Sequence, residues 1–225
     1  MLDAGEYGRI CGLNGELAFI LSKLLNYYAT PAALAAALET GVFFQQKARA
    51  TKLSFVWSGS SQFFNDARKT QQVILDIVNG AREQILLVSF AAYKIPVLLQ
   101  ALQAALQRGI RTRIILESPL DSCGQLSHDG KSSFKELEKA EFFHWPLAQR
   151  SRNAAGLPAK LHAKCAINES CLLVTSANLT NDAINGNIEL GLLRHDKSDA
   201  MKLIAQFDLL IGKNILERAP SPLDG

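Results

Sequence analysis

From Lys52 onwards, short apolar runs typical of β-strands alternate with segments in which apolar residues recur at helical spacing. The strand-like runs are residues 53–57, 85–90, 112–116, 141–145, 163–168, 171–175 and 187–193. The predicted helices are residues 67–79, 96–108, 133–140 and 198–216. Strands separated by helices of about 10–15 residues favour a sheet with helices on both faces. We therefore predict an α/β fold with a mostly parallel or mixed sheet sandwiched by helices.

The first 50 residues follow a different pattern. Apolar residues at helical spacing precede Thr30-Pro31, a pair that is typical of the start of a second helix. We predict two short helices followed by a polar connector over residues 45–51. The expected domains are an N-terminal helical extension, residues 1–50, and an α/β domain, residues 51–225.

The composition is that of an ordinary globular protein. Lys and Arg total 24 against 21 Asp and Glu, which gives a formal net charge of +3. This excess is compatible with a polyanionic partner but does not argue for one, because a phosphate-binding surface needs local clusters of charge.

The cysteines and the hydropathy pattern narrow the cellular setting. Cys11, Cys123, Cys165 and Cys171 form no CxxC pair, so we predict reduced structural thiols and no zinc site. The N-terminus lacks the pattern of a signal peptide, and no stretch approaches the ~18 apolar residues of a membrane span. We expect a cytoplasmic protein without stable membrane insertion.

The segment with the clearest chemical meaning is residues 161–180, LHAKCAINESCLLVTSANLT. His162 and Lys164 lie two apart on a predicted strand, so both side chains point to the same face. Ser176 and Asn178 repeat this spacing just after the next predicted strand, and pairing of the two strands would bring all four together. Lys and Asn can bind the non-bridging oxygens of a phosphodiester, while His attacks phosphorus or protonates the leaving oxygen. Because no cluster of carboxylates accompanies them, we predict chemistry without a metal or other cofactor.

This pattern resembles the HKD motif of the phospholipase D superfamily. His162, Lys164, Ser176 and Asn178 match that motif residue by residue. Glu169 stands where the motif has Asp, and the spacing to the Ser turn is one residue shorter than usual. Thr175 stands where Gly is commonest. The resemblance implies that the acidic residue supports the local turn, so we expect this structural role for Glu169.

The resemblance extends to the order of helices and strands over residues 52–216. Glu189 matches a downstream strand position at which such enzymes carry a Glu beside the catalytic His, which implies that it accepts the Nδ1 proton of His162. The strings HAKC, TSANLT and NIELG are particularly similar to the phospholipase D-like protein of DISARM anti-phage defence systems. That similarity implies a role in phage defence, with other defence proteins as partners.

A single copy of the motif implies a homodimer. The chemistry of the superfamily uses two histidines, one as nucleophile and one as acid and then base, so the second His162 is expected from a partner subunit. The predicted function is that of a metal-independent phosphodiesterase, a hydrolase of the nuclease type that cleaves DNA or RNA through a phosphohistidine. The alternatives are a phospholipase or phosphatidyltransferase, and a catalytically impaired nucleic-acid-binding module.

Basic residues before the motif are candidates for substrate binding in addition to Lys164, Ser176 and Asn178. Arg150, Arg152 and Lys160 lie in or beside a predicted mobile loop, residues 150–158, which is either a clamp for a nucleic-acid backbone or simply solvated.

The other histidines carry weaker signals. His195-Asp196-Lys197 is a second His-x-Lys, but it lacks the Ser-x-Asn turn, so we predict exposed surface there. His128 and His144 have no partner within the motif, and we expect His144 to serve packing or the rim of the site.

Overall fold

The computed structural model describes residues 15–27, 30–50, 53–60, 67–126 and 128–219, with only the backbone described over residues 46–50. The chain divides into two compact units, residues 1–51 and residues 52–225. The helices are α1 (Gly15–Tyr27), α2 (Pro31–Ala50), α3 (Thr70–Gly80), α4 (Pro96–Gln107) and α5 (Lys197–Gly212). The strands are β1 (Leu53–Ser58), β2 (Arg68–Lys69), β3 (Gln84–Ser89), β4 (Arg111–Leu116), β5 (Glu141–His144), β6 (Cys165–Asn168), β7 (Leu172–Thr175), β8 (Glu189–Arg194) and β9 (Glu217–Arg218).

The first unit contains α1 and α2. Ala18 and Leu34 are its buried apolar residues within the described ranges, at 1% and 4% exposure. The polar connector predicted over residues 45–51 is wrong up to Ala50, because α2 continues to that residue. The segment QQKARA consists of strong helix formers, and their propensity outweighs the polar composition that suggested a loop.

The second unit is built on one mixed sheet. Its described strands follow the order β2-β1-β8-β7-β6-β3-β4-β5-β9. β3, β4 and β5 are parallel neighbours, while β6, β7 and β8 form antiparallel pairs. The predicted α/β class with a helix-flanked, mixed sheet is confirmed.

Helices cover this sheet on both faces. Ile85 and Leu87 of β3 face the core formed with α3 and α4, while Leu86 and Val88 face the core formed with α5. Because side chains alternate along a strand, a strand that is buried on both faces is apolar throughout. This explains the uninterrupted apolar run at residues 85–88.

Two local predictions differ from the structure. The helix predicted over residues 133–140 is a 3-10 turn at Gly130–Phe134 followed by further turns. β6 begins at Cys165, so His162 and Lys164 lie in the segment that leads into the strand.

Two of the predicted thiols lie inside the α/β unit. Cys165 and Cys171 are buried free cysteines, and burial raises the pKa of Cys165 to about 12. Across the described residues, every helix is too short or too polar to cross a membrane.

Candidate active site

The motif residues meet at one edge of the sheet, where β3, β4 and β5 end. Cys165 pairs with Val88 in an antiparallel register, which brings Lys164 beside Ser89 at the end of β3. β7 ends at Thr175, and its neighbour β8 begins at Glu189. The carboxyl ends of parallel strands are the usual place for a site in an α/β sheet.

His162 and Lys164 form a close pair at this edge. Lys164 Nζ lies 3.3 Å from His162 Nδ1 and donates a hydrogen bond of 2.9 Å to the His162 carbonyl oxygen. The imidazole is exposed and packs against the Phe90 ring, with 5.4 Å between the centroids, whereas Lys164 is only 8% exposed. The site therefore offers an accessible imidazole above a largely buried ammonium.

The ammonium influences the protonation of the imidazole. The positive charge of Lys164, followed by burial and the charge of Lys160, lowers the pKa of His162. Burial lowers the pKa of Lys164, while the carboxylate of Glu189 opposes this shift. Since an ammonium only donates hydrogen bonds, its position beside Nδ1 favours the neutral His162 tautomer with the proton on Nε2.

Replacing Lys160 by glutamine is expected to raise the pKa of His162, because removal of a nearby cation makes imidazolium less unfavourable. Imidazole NMR titration should show the shift towards the ordinary histidine value, and high salt should shift wild type in the same direction by screening. Lys197→Gln beside His195 is the matched control and should leave His162 unchanged. An unshifted His162 in Lys160→Gln would contradict the electrostatic coupling.

Ser176 and Asn178 are held by the ends of neighbouring strands. The Ser176 hydroxyl donates to the Glu189 carboxylate and accepts a hydrogen bond of 3.1 Å from Leu190 N. Asn178 Oδ1 lies 3.4 Å from Ala91 N, which leaves the Nδ2 amide group as a donor for a substrate oxygen. The structure thus brings Ser176, Asn178 and Lys164 to the same edge of the sheet.

Glu189 has different partners from those expected. Its carboxylate accepts hydrogen bonds from Ser176 and from Asn187 Nδ2, the latter at 3.4 Å. Among the described residues, no hydrogen bond joins Glu189 to His162, whose Nδ1 faces Lys164 instead. The predicted contact with the Nδ1 proton is therefore not formed in this conformation, and Glu189 acts on the site through Ser176 and the charge of Lys164.

Ser89 is a positioning residue that the motif did not reveal. This buried hydroxyl, at the end of β3, donates to Ala91 O at 2.7 Å and accepts from Leu179 N at 3.1 Å. It also lies 3.5 Å from Asn178 Oδ1. A serine that ends an apolar strand is the available sequence signal, but Leu179 and Asn178, which it contacts, are about 90 residues away along the chain.

Arg150 is placed differently from the substrate-binding role predicted for it. Its side chain is 0% exposed and pairs with Glu117, also 0% exposed, through two hydrogen bonds of 2.6 and 2.9 Å. The guanidinium also donates to the carbonyl oxygens of Trp145 and Ala159. We therefore reassign Arg150 from the substrate to the framework of the site.

Glu117 connects this ion pair to the nucleophile segment. Its Oε2 accepts a hydrogen bond of 3.1 Å from Leu161 N, immediately before His162. Residues 151–159, between Arg150 and this segment, are held by backbone hydrogen bonds. Ala159 N bonds to Ser151 O at 2.8 Å, and Asn153 N bonds to Leu157 O at 2.9 Å. The buried pair and this small hairpin together position residues 150–161.

Arg150→Met is expected to lower the free energy of unfolding by about 3–5 kcal/mol, because it leaves the Glu117 carboxylate buried without its charged partner. Chemical denaturation would measure this change. Arg152→Met is the matched control, since Arg152 is exposed, and it should change stability by less than about 0.5 kcal/mol. Equal stability of the two variants would contradict the role given to the buried pair.

Arg152 and Lys160 are exposed in the segment that precedes His162. Arg152 donates a hydrogen bond of 2.8 Å to Gly156 O within the hairpin, and Lys160 is close enough to His162 to lower its pKa. Both cations are available to solvent, unlike Arg150.

Glu169 lies at the end of β6 opposite His162. Its carboxylate accepts hydrogen bonds from the backbone N–H groups of Arg82, Glu83 and Gln84 at 2.9, 3.3 and 3.4 Å. Burial alone would raise the pKa of Glu169, but these backbone donors lower it overall. The side chain thus ties the β6–β7 turn to the α3–β3 loop.

The remaining candidates lie outside this constellation. His195 is exposed, and Asp196 beside it caps α5 by accepting a hydrogen bond of 2.9 Å from Asp199 N. His144 is oriented by Asp121, with 2.8 Å between Nδ1 and Oδ2. Within the described ranges, no three His, Cys, Asp or Glu side chains are grouped so that they could hold a metal ion.

Comparisons with known proteins agree on the architecture. The chain resembles Nuc from Salmonella typhimurium, described as a phospholipase D family member, with a TM-score of 0.53 and 15% identity over 76% of this chain and 99% of Nuc. NucT from Helicobacter pylori gives a TM-score of 0.56 and 16% identity over 70% of this chain and 93% of NucT. Phosphatidylserine synthase from Haemophilus influenzae Rd KW20 gives 0.54 and 13%, over 94% of this chain and 56% of the synthase. At these identities the likeness concerns the fold alone.

Sequence comparison identifies the family. A search among curated proteins gave no match. The family model described as cardiolipin synthase, PLD-like domain, matches residues 74–211, which include His162, Lys164, Ser176 and Asn178. Because this match spans more than half of the chain and the fold agrees with it, the protein belongs to the family of PLD-like domains in the phospholipase D superfamily, whose members support phosphodiester chemistry.

Proposed function

We propose that the protein is a metal-independent nuclease that cleaves the backbone of DNA or RNA through a phosphohistidine at a homodimer interface. The observation that carries this proposal is the exposed His162 imidazole beside the Lys164 ammonium, 3.3 Å from Nδ1 to Nζ, at the same sheet edge as Ser176 and Asn178. An accessible nucleophile next to donors for phosphate oxygens is the arrangement that phosphoryl transfer needs.

The two histidines of the dimer divide the reaction. Nε2 of one neutral His162 attacks phosphorus and a P–N bond forms. The P–O bond to the leaving group breaks as that oxygen takes the Nε2 proton from the imidazolium of His162 of the partner subunit, which becomes neutral. Water then attacks phosphorus, the same partner imidazole takes the proton of the water, and the P–N bond breaks. The products are a phosphomonoester and an alcohol, and both imidazoles return to their starting states.

The two roles require different protonation states of His162. The contact of Nδ1 with Lys164 supports the neutral Nε2–H form, whereas the acid needs imidazolium, with protons on both ring nitrogens. The nucleophile needs a free Nε2 and an acceptor for Nδ1–H. Glu189 is the proposed acceptor, and this role requires its carboxylate to turn from Ser176 to His162 on substrate binding.

An exposed apolar surface supports the homodimer. Val174, Leu190 and Leu192 point to the α5 side of the sheet and are 48%, 49% and 38% exposed. Val174 lies on β7, which ends just before Ser176, and Leu190 and Leu192 lie on β8, which begins at Glu189. A second copy of the chain on this surface would cover apolar area and place the partner motif next to the same sheet edge.

Leu192→Glu is therefore expected to give monomers and to abolish cleavage together with dimerisation. In a two-fold interface the substitution introduces two carboxylates onto the apolar surface, where burial of charge is unfavourable. Light scattering at micromolar concentration and cleavage assays would measure both effects. Val97→Glu, an exposed position on α4 across the sheet, is the matched control and should remain dimeric. A monomeric wild type would refute the homodimer.

Nucleic acid is the proposed substrate because the exposed cation Lys160 lies close to the nucleophile and Arg152 is exposed in the hairpin that precedes it. Arg152 and Lys160 can contact backbone phosphates outside the scissile one. A phospholipase or phosphatidyltransferase is the second candidate, favoured by the cardiolipin synthase family model. The proposed role in phage defence depends on the HAKC, TSANLT and NIELG strings and their similarity to the DISARM protein.

The test is an assay of purified protein with labelled single- and double-stranded DNA and RNA, and with phospholipid vesicles, in the presence of EDTA. Cleavage of a polynucleotide that persists under chelation is the expected result. Strict dependence on a divalent metal would refute the mechanism, and turnover of phospholipid alone would establish the second candidate. Salt-sensitive polynucleotide binding without cleavage would identify a binding module instead.

A further inference from the structure

A separate cavity of about 360 Å³ opens at the ends of β4 and β5. Its wall includes apolar residues such as Leu116, Leu120 and Phe142. His144, Lys131 and Asp129 add polar groups to this wall. The motif residues do not line this cavity, and it lies within the size range of small-molecule sites.

A buried carboxylate orients the histidine of this cavity. Asp121, 8% exposed, accepts a hydrogen bond of 2.8 Å from Leu147 N through Oδ1, and its Oδ2 lies 2.8 Å from His144 Nδ1. Burial raises the pKa of Asp121, but the hydrogen bonds from His144 and Leu147 N lower it overall. The carboxylate therefore accepts the Nδ1 proton, and Nε2 of His144 remains for a ligand.

The turn that carries Asp121 also presents an apolar side chain at the cavity. Leu120 is 90% exposed, and no other large hydrophobic residue in the described ranges is more exposed. Its N–H bonds to Ser118 Oγ at 3.2 Å, and Asp121 N bonds to Ser118 O at 3.1 Å. A structured turn thus holds the exposed Leu120 side chain at the cavity.

The cavity is connected to the nucleophile through one side chain. Glu117 lines the cavity, and its carboxylate accepts the hydrogen bond from Leu161 N that positions the segment before His162. The cavity and the segment that carries His162 therefore share Glu117.

We infer that this cavity binds a nucleobase flanking the scissile phosphate, so that His144 and Leu120 determine the base preference of cleavage. The inference rests on the proposed nuclease function. A nucleobase has flat apolar faces and an edge of hydrogen-bond donors and acceptors. The cavity offers both matching features, apolar walls with Leu120 and an oriented imidazole nitrogen. An acyl chain could not form hydrogen bonds with the polar groups of this wall.

Binding can be measured without cleavage, in the His162→Ala protein. The chain has four histidines, so three imidazoles remain, and the spectrum of a His162→Ala/His144→Gln protein identifies the signal of His144. Titration with the four nucleosides is expected to shift that signal saturably, while inorganic phosphate leaves it unchanged. Leu120→Ser should weaken nucleoside binding about tenfold. Leu157→Ser removes a 60% exposed leucine from another turn and is the matched control, with affinity unchanged.

Cleavage provides the second measurement. Sequencing of the products from a randomised oligonucleotide should show a base preference beside the cut in wild type, and His144→Gln and Leu120→Ser should reduce it about tenfold while cleavage continues. If nucleosides leave His144 unshifted, or if phosphate alone shifts it, the base site is refuted. A shift by nucleosides in a protein that cleaves no polynucleotide would keep the base site and refute the nuclease. Cleavage with an unaltered base preference in both variants would support the nuclease and refute the base site.

Discussion

Replacing His162 by alanine in both protomers is expected to abolish phosphodiester cleavage. Each composite site would lose its nucleophile and its general acid in one substitution. Loss of a general acid–base group alone usually lowers the rate by about 10²–10⁴-fold, so the loss of both roles should exceed that range. A steady-state assay on the substrate that wild type cleaves would measure the effect.

Two further proteins make this result specific. His195→Ala removes the other histidine of a His-x-Lys sequence, at an exposed position next to α5, and should retain full activity. A mixed dimer with one wild-type and one His162→Ala protomer should be far slower than wild type yet able to accumulate phosphohistidine, because the nucleophile remains while the partner acid and base is missing. Near-normal hydrolysis by the His162→Ala homodimer would refute the active-site assignment.

Lys164→Ala is expected to be the next most damaging change. Its ammonium is the nearest cation to His162 and is proposed to balance the charge that develops on the phosphoryl oxygens. Removal of one such stabilising donor usually costs about 10²–10³ in kcat, and the homodimer would lose one from each subunit. The combined loss in kcat should therefore reach about 10⁴ or more.

The pH profile separates this effect from a loss of structure. Because the charge of Lys164 lowers the pKa of His162, the variant should also titrate its imidazole at higher pH than wild type. Lys197→Ala removes an exposed cation beside His195 and should leave both the activity and the titration of His162 unchanged, which makes it the control. A Lys164→Ala protein with unchanged kcat would show that the ammonium does not contact the reacting phosphate.

The fold class could be predicted because its signal is local. The apolar run at residues 85–88 and the helical spacing of α3 are patterns among neighbouring residues. They reflect burial against a whole layer of helices or strands and do not depend on any single contact. Predictions failed where propensity and context were opposed. Residues 133–140 have helical character, yet the turn from Gly130 to Phe134 buries Phe134 at 2% exposure and the chain does not continue as a helix.

Some residues of the site could be predicted from the sequence, while the roles of others depend on tertiary contacts. His162, Lys164, Ser176 and Asn178 could be selected because they flank two strand-like runs at matching spacing, and pairing of β6 with β7 brings the ends of these runs to one edge. The substrate-binding role predicted for Arg150 differs from its place in the structure. The sequence does not show that Glu117, 33 residues earlier, supplies a buried carboxylate for the guanidinium. The residue type of a charged loop position does not reveal whether its side chain is exposed to solvent or buried in an ion pair.

The amino-acid sequence by itself determined which chemical groups are near each other along the strands, because alternation in a β-strand is a property of the local backbone. Only the tertiary structure decided the hydrogen-bond partners that set their protonation and orientation. Glu189 bonds to Ser176 and not to His162, Asp121 orients His144, and Glu117 holds Leu161. Each of these contacts joins strands or loops that are distant in the chain, and hydrogen bonds act over about 3 Å, so the packing of the whole sheet selects which donor and acceptor meet.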